Sequence, residues 1–275
     1  MATQSKSIIW IASYPKSGNT WVRFLVCSLI FGPQDSASAL NRLAPDLHEL
    51  AELPTQLPPR LLMKTHFAFS ERMPLAAATA GAIYVVRQPA DVMLSNFHYA
   101  RRSGATEADD EAALERYVEE FIAARGDPRW LQRGMGSWEE NVRSWIGAPL
   151  PFPVLPLRYE DLLADPIEGA SRLRGFLGVQ CSDEQLARAV AASSFERLRA
   201  IEESDIAAGR VGIFYKPYLH SSIEAGRRFM RAGRSGEARR TLSAAQLRQI
   251  NLRFDSVMQA CGYPLADPVE QGAKR

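Results

Sequence analysis

Apolar residues fall along this chain in two kinds of run. Short unbroken stretches, rich in β-branched side chains and without helical spacing, occupy Ile8 to Ser13, Leu61 to Lys64, Ile83 to Val86 and Val154 to Arg158. Each has the length of a buried strand. Elsewhere the spacing changes to three and four residues, as in Trp21, Phe24, Leu25 and Ser28, which predicts helices. Punctuation supports the division. Pro89 suits the first turn of "PADVMLSNFHYARR", while "SWEENVRSWIG" opens on a serine cap and stops at Gly147. After Pro166 the pattern is mostly helical, and the alanine-rich "LAAATAGA" reads as a turn. Strand, helix, strand, helix is the order of an α/β domain: a central, mostly parallel sheet of four to five strands flanked by helices, with residues 1–275 as one unit.

Composition narrows the function classes. With 275 residues, 46% hydrophobic and 23% charged, the chain can bury a sizeable core. Lys and Arg number 33 against 31 Asp and Glu, and a net charge of +2 argues against a nucleic-acid partner. Cys27, Cys181 and Cys261 are widely spaced, which suits neither a disulfide framework nor a zinc site and points to a reducing cytoplasm. The apolar start "IIWIA" meets Tyr14, Pro15 and Lys16 too soon for a signal sequence or a membrane span. One segment departs from the even charge. Asp205 to Arg240 carries glycines 209, 212, 226, 233 and 236 with Arg210, Lys216, Arg227, Arg228, Arg231, Arg234, Arg239 and Arg240. A basic, glycine-containing loop of this kind is a lid over an anion or a solvated surface. The tail, 264–275, is expected to be flexible.

Three constellations carry chemistry. The turn in "SYPKSGNTWVRF" joins the first strand to the first helix, where the amides of Gly18, Asn19 and Thr20 lack intrahelical acceptors and the peptide dipoles favour an anion. A nucleotide triphosphatase loop would put its lysine after the last glycine; here Lys16 precedes Gly18, and no strand ends in an aspartate placed to hold magnesium. The second constellation sets Arg87 at a strand end and Ser95 two turns into the next helix, both suited to phosphate; the alternative for Arg87 is an ion pair with Asp91. In the third, Lys64 and His66 close a strand, so that the imidazole can take a proton and the ammonium can face a developing anion. His48, His98 and His220 have no such setting and read as structural.

"YPKSGNTW", "KTHF", "VVRQPADVMLSNFHY", "RYEDLLADP", "SSFERL" and "FMRAGRSG" stand in the order found in sulfotransferases that use 3′-phosphoadenosine-5′-phosphosulfate (PAPS), so the chain resembles that family over most of its length. It looks most like the soluble single-domain members, and its loops are similar to those of bacterial enzymes that tailor small natural products. The resemblance implies the kinase-like sulfotransferase fold, PAPS as co-substrate, 3′,5′-adenosine bisphosphate (PAP) as product and no metal. It implies in-line transfer of the sulfuryl group to a hydroxyl or phenol, with His66 as base and Lys64 as its electrostatic helper. It places Lys16 on the bridging oxygen, Ser17, Gly18, Asn19 and Thr20 on the 5′-phosphate, and Trp21 beside the adenine. It gives the 3′-phosphate to Arg87 and Ser95, joined by Arg231, Ala232 and Gly233, and the base to Tyr159 and Ser193 to Phe195.

Departures from the family pattern are specific. Asn19 replaces a threonine, with an amide that can still donate; Ala232 stands where a lysine is common, and Arg234 is a candidate substitute. No dimer signature is evident in "RRTLSAAQLRQIN", which leaves the oligomeric state open. The acidic segment Glu107 to Glu120 either flanks the acceptor pocket, favouring a cationic or sugar-like acceptor, or forms a solvated helix face. Two other classes stay open at this point: a small-molecule or nucleotide kinase, and a non-catalytic module that binds adenosine bisphosphate.

Overall fold

A computed structural model describes residues 6–105 and 111–263. The 264–275 tail lies outside the described residues. The order of elements is β1 (Ile8–Ser13), α1 (Asn19–Phe31), α2 (Ala37–Leu43), β2 (Leu61–Thr65), β3 (Thr79–Val86), α3 (Pro89–Arg102), α4 (Glu111–Ala123), α5 (Pro128–Leu131), α6 (Trp138–Ile146), β4 (Val154–Arg158), α7 (Tyr159–Ala164), α8 (Pro166–Leu177), α9 (Asp183–Ala192), α10 (Phe195–Ala207), α11 (His220–Glu224), α12 (Ala238–Thr241) and α13 (Ala244–Ala260). The four strands form one sheet in the order β2-β1-β3-β4, every pair parallel.

Alternation along the central strands sorts side chains to two cores. Ile8, Trp10 and Ala12 of β1 and Tyr84 and Val86 of β3 join a cluster with Phe121, Trp138, Trp145 and Phe254 from α4, α6 and α13. Ile11, Ile83 and Val85 face the other way, onto Phe24 and Leu25 of α1, Leu173 of α8 and Ile201 of α10. Such two-sided cover makes the strands apolar throughout, which is why they carry no polar face. No helix among the described residues is long and apolar enough to cross a membrane.

Two expectations change. "LAAATAGA" is a short 3₁₀ turn, Ala76–Ala78, followed by the first residues of β3, which begins at Thr79 rather than Ile83. Small side chains at Thr79 and Ala82 are buried in the sheet, where packing outweighs the weak strand preference of alanine. The basic segment is also not loop throughout: Asp205 belongs to α10, and α11 and α12 interrupt the stretch. Its last part is tied down by two buried carboxylates. Glu202 accepts the N–H groups of Phe229 (2.6 Å) and Met230 (2.8 Å), and Asp91 on α3 accepts those of Gly236 (2.7 Å) and Ala238 (2.9 Å).

Asp91→Ala should therefore lower the unfolding free energy by roughly 1–3 kcal/mol, because two amides and a guanidinium lose one acceptor group. Urea titration gives the magnitude. Limited proteolysis should cut between residues 226 and 240 before the global transition, and resistance equal to that of the parent chain would contradict the anchoring.

Candidate active site

Sequence order and spatial order reverse between β1 and β3. The chain leaves β1, pairs β2 on one side, then returns to place β3 on the other. At such a switch point the loops diverge and leave a crevice beyond the carboxyl ends of the strands. Here the crevice is a cleft of about 390 Å³. Its floor follows from the strand ends: the Lys16 turn leaves β1, His66 follows β2, Arg87 follows β3 and Tyr159 follows β4. A groove of about 400 Å³ near Asp35, Arg197 and Arg210 contains none of the candidate residues and plays no part in this geometry.

The first turn is sterically defined. Lys16 (φ 72°) and Gly18 (φ 101°) both occupy the left-handed region, and a Cβ on Gly18 would stand 2.6 Å from Cδ2 of Tyr159. Only glycine fits there. The amides of Gly18, Asn19 and Thr20 meet no backbone acceptor among the described residues, and the buried Ser17 hydroxyl has no partner. Asn19 corrects one expectation. Its Nδ2 donates inward to the carbonyl of Ile11 (2.9 Å) and to Ser13 Oγ (3.3 Å), so the side-chain amide braces the end of β1 instead of facing an anion. Its backbone N–H remains open.

Around this turn cations converge. Lys16 Nζ lies between the rings of Tyr99 (4.4 Å) and Phe229 (4.2 Å). Burial, and then repulsion from Arg102, Arg87 and Arg231, pulls its pKa down from 10.5 to about 7. Arg87 pairs with Asp91 at 3.7 Å, yet it also lines the cleft, lies 4.3 Å over the Tyr159 ring, and donates to the carbonyls of Lys16 (3.4 Å) and Arg234 (3.0 Å). Its buried Nε is without a partner. Opposite, Arg231 forks onto Glu237 (2.6 Å for the first bond), and a Cβ on Gly233 would stand 2.2 Å from the Phe195 ring. Ser95, Ala232 and Arg234 line the same space. Of Ser193 to Phe195, only Phe195 reaches it; Ser193 Oγ donates to the carbonyl of Ala189 (2.9 Å) and Ser194 caps α10. Trp21 meets Tyr159 edge-on at 5.6 Å, giving the cleft an aromatic wall.

The other end is built around His66. Its Nδ1 lies 2.8 Å from the carbonyl of Ser13, which fixes the proton on Nδ1 and leaves the lone pair on Nε2. Its backbone N–H donates to Nε2 of His48 at 2.8 Å. Lys64 pairs with Asp46 at 2.7 Å. His48 and Asp46 were not legible beforehand, since they lie 18 residues upstream of their partners on a segment that meets β2 through an isolated bridge, Asp46 to Lys64, rather than through a strand. His48 is thus not an unrelated structural histidine. The acidic segment, in contrast, contributes nothing here within its described part: Glu111, Glu115, Glu119 and Glu120 are all exposed on α4 and none lines the cleft. Residues 106–110 lie outside the described residues.

With that geometry in place, the comparisons converge. The sulfotransferase domain family matches residues 6–262. Among similar proteins, sulfotransferase 1A1 of Bos taurus is 26% identical across 91% of this chain and 83% of its own. Flavonol 3-sulfotransferase of Flaveria bidentis is 27% identical across 94% and 83%. A mouse sulfotransferase solved in complex with PAP superposes with a TM-score of 0.66 at 21% identity, covering 94% of this chain and 85% of that one. A retinol dehydratase in complex with androsterone and inactive cofactor PAP gives 0.64 at 20%, covering 96% and 83%. The chain belongs to the sulfotransferase family of enzymes, and its fold is theirs.

Burial, with Lys64 close by, holds both imidazoles neutral: His48 titrates at about 4 instead of 6.5, and His66 is displaced well below 6.5 in the same direction. Because the folded chain disfavours the protonated forms, their contribution to stability is complete above pH 6.5 and is lost as the pH falls from there through about 4. The urea midpoint should drop across that window. His48→Gln, which keeps an acceptor for the His66 N–H, should flatten the drop; an unchanged slope would remove His48 as its cause.

Proposed function

We propose that this chain transfers the sulfuryl group of PAPS to a hydroxyl or phenol of a small-molecule acceptor, with His66 as general base, in the cytoplasm. One observation carries the assignment. The carbonyl of Ser13, the last residue of β1 before the Lys16 turn, accepts the Nδ1 proton of His66, so a lone pair and a phosphate cradle share one cleft at a fixed offset. The fit of the nucleotide is supported by groups that lack partners without it: the open amides at the start of α1, Ser17 Oγ and Arg87 Nε. Gly18 and Gly233, each pressed against an aromatic ring, leave room that any larger residue would fill.

When bound, the donor supplies an electrophilic sulfur and a phosphate leaving group. The acceptor oxygen gives its proton to Nε2 of His66 as it bonds to sulfur, and the electron pair of the broken bridging S–O bond stays with the phosphate. Lys16, with the amides of the Ser17 to Thr20 turn, neutralises the charge that builds there. A lysine whose ammonium is weakened by burial gains the most from an anion that restores its proton. Arg87, Ser95 and Arg231 hold the 3′-phosphate, Gly233 adds its amide, and Arg234 stands beside Ala232 where a further cation is useful. Trp21, Tyr159 and Phe195 frame the base. Lys64, held by Asp46, adds its positive field to the burial that keeps Nε2 of His66 unprotonated at neutral pH.

Replacing His66 by alanine should reduce transfer by about 10²–10⁴-fold, with PAP affinity close to that of the parent chain. Calorimetry with PAP and a mass-spectrometric transfer assay separate the two; intact turnover would end the base assignment. For Arg87→Ala the loss should depend on the ligand. PAP should bind about 10–100-fold more weakly, the equivalent of roughly 1.5–3 kcal/mol for a charge-assisted bond, while adenosine 5′-monophosphate changes little. Equal losses for both nucleotides would take the 3′-phosphate away from Arg87.

A further inference from the structure

The acceptor end of the cleft contains a cation that the nucleotide does not use. Two guanidinium groups lie over the ring of Trp130, that of Arg129 at 5.5 Å and that of Arg133 at 5.3 Å. Arg129 is neutralised by buried Asp127, to which its Nε donates at 2.9 Å. Lys64 and Lys216, which line the same end, are matched by Asp46 (2.7 Å) and Glu49 (2.9 Å). Arg133 lines the cleft, and no carboxylate among the described residues pairs with it.

Its place relative to His66 is fixed by backbone contacts. Nδ2 of the buried Asn141 donates to the carbonyls of both His66 and Met135, each at 2.8 Å, which staples the Arg133 loop to the end of β2. A Cβ on Gly134 would lie 3.6 Å from the ring of Phe67, the residue after His66. The platform is equally constrained, since the indole N–H of Trp130 donates to Asn96 Oδ1 at 2.8 Å. Tyr99, 6.1 Å from Trp130 between ring centroids, and buried Met135 complete an apolar slot.

We propose that the acceptor is a phenol carrying a carboxylate, its ring against Trp130 and its carboxylate on the fork of Arg133, with the hydroxyl directed to His66. This rests on the transfer reading above. A planar guanidinium presents paired donors that match a carboxylate, and its position over an indole orients the fork before any ligand arrives. An anionic acceptor is the opposite of what the acidic segment near residue 107 suggests on sequence alone, and the described acidic residues of that segment are exposed away from the cleft.

The test titrates PAP-saturated enzyme with para-hydroxyphenylpropanoate, its methyl ester and tyramine by calorimetry, and runs the same three phenols with PAPS by mass spectrometry. The acid should bind about tenfold or more tightly than the ester. Arg133→Ala should bring the acid to the level of the ester while PAP affinity is retained, and Arg133→Glu should shift the preference to tyramine. Equal affinities in the parent chain, no binding of the acid, or equal losses for acid and ester in the alanine variant would each overturn the inference. Sulfation of the ester and tyramine without preference for the acid would overturn it and leave the transfer reading standing. Acid binding that depends on Arg133 without sulfation of any phenol would uphold the anion site and count against the transfer reading.

Discussion

The parallel register of the sheet is the constraint on which the site depends. All four strands end at one edge, and the pairings Ala12 to Thr65, Ser13 to Val85 and Val86 to Arg158 align those ends within a residue or two. Pairing between β1 and β2 stops at Ala12 and Thr65, so the next carbonyl, that of Ser13, has no ladder partner on the β2 side; the ring of His66 takes that place. The bond that orients the imidazole is thus a side-chain continuation of the sheet. Its precision comes from the strand flanked on both sides, not from a loop.

Charge is the second constraint. A cleft that gathers Lys16, Arg87, Arg102, Arg231 and Arg234 repels itself unless carboxylates are built in beside it. Asp91, Glu202 and Glu237 supply the compensation: Asp91 stands by Arg87 at 3.7 Å, Glu202 by Arg102 at 3.9 Å, and Glu237 is forked by Arg231. Two of them also accept backbone amides of residues 229–238, which satisfies the lone pairs that a bare ion pair would leave exposed to an apolar interior. Neutralising the cations and shaping the loop are therefore one arrangement. The guanidinium of Arg87 completes it by donating from separate nitrogens to the carbonyls of Lys16 and Arg234, so the turn and the loop that face each other across the cleft share one side chain.

What could be read from the chain beforehand divides along physical lines. Strands β1 and β4 were bounded to the residue, β2 was one residue short, and the caps at Pro89, Ser137 and Gly147 stood where expected, because each follows from local spacing or backbone chemistry. The glycine turn was legible for the same reason: the φ of Gly18 and the amides of α1 are properties of a few consecutive residues. Groups brought in by tertiary packing were not. Asp46 and His48 come from a short 3₁₀ turn, Leu47–Glu49, and its cap, Glu202 lies mid-helix in α10 with nothing in its neighbours to mark it, and Asn141 reads as an ordinary interior position of α6. Donation by Asn19 into the cleft was a fair inference from residue type that the geometry reverses, since its Nδ2 is already engaged by the carbonyl of Ile11 and by Ser13 Oγ. Arg87 shows the limit of choosing between two local readings: it pairs with Asp91 and faces the cleft together.

The same division separates the two ends of the cleft. The end of the cleft around Lys16 and Arg87 is made of strand-to-helix turns, so its residues announce themselves as short motifs. The wall near His66 is made where the loop after α5 and helix α6 pack against the residues that follow β2, and it is set by buried contacts rather than by a turn. Asn141 holds it through His66 and Met135, while Tyr84 donates to Asn141 Oδ1 at 2.8 Å from within β3. That amide has both donors and its acceptor engaged, so it cannot rotate without orphaning buried groups. A rigid core contact thus fixes how far the 133–135 loop stands from the imidazole, whereas the Arg133 side chain on that loop is exposed. On the proposed function, selectivity can change at the exposed Arg133 while His66 stays in place, because the atoms that position His66 belong to the sheet and to Asn141.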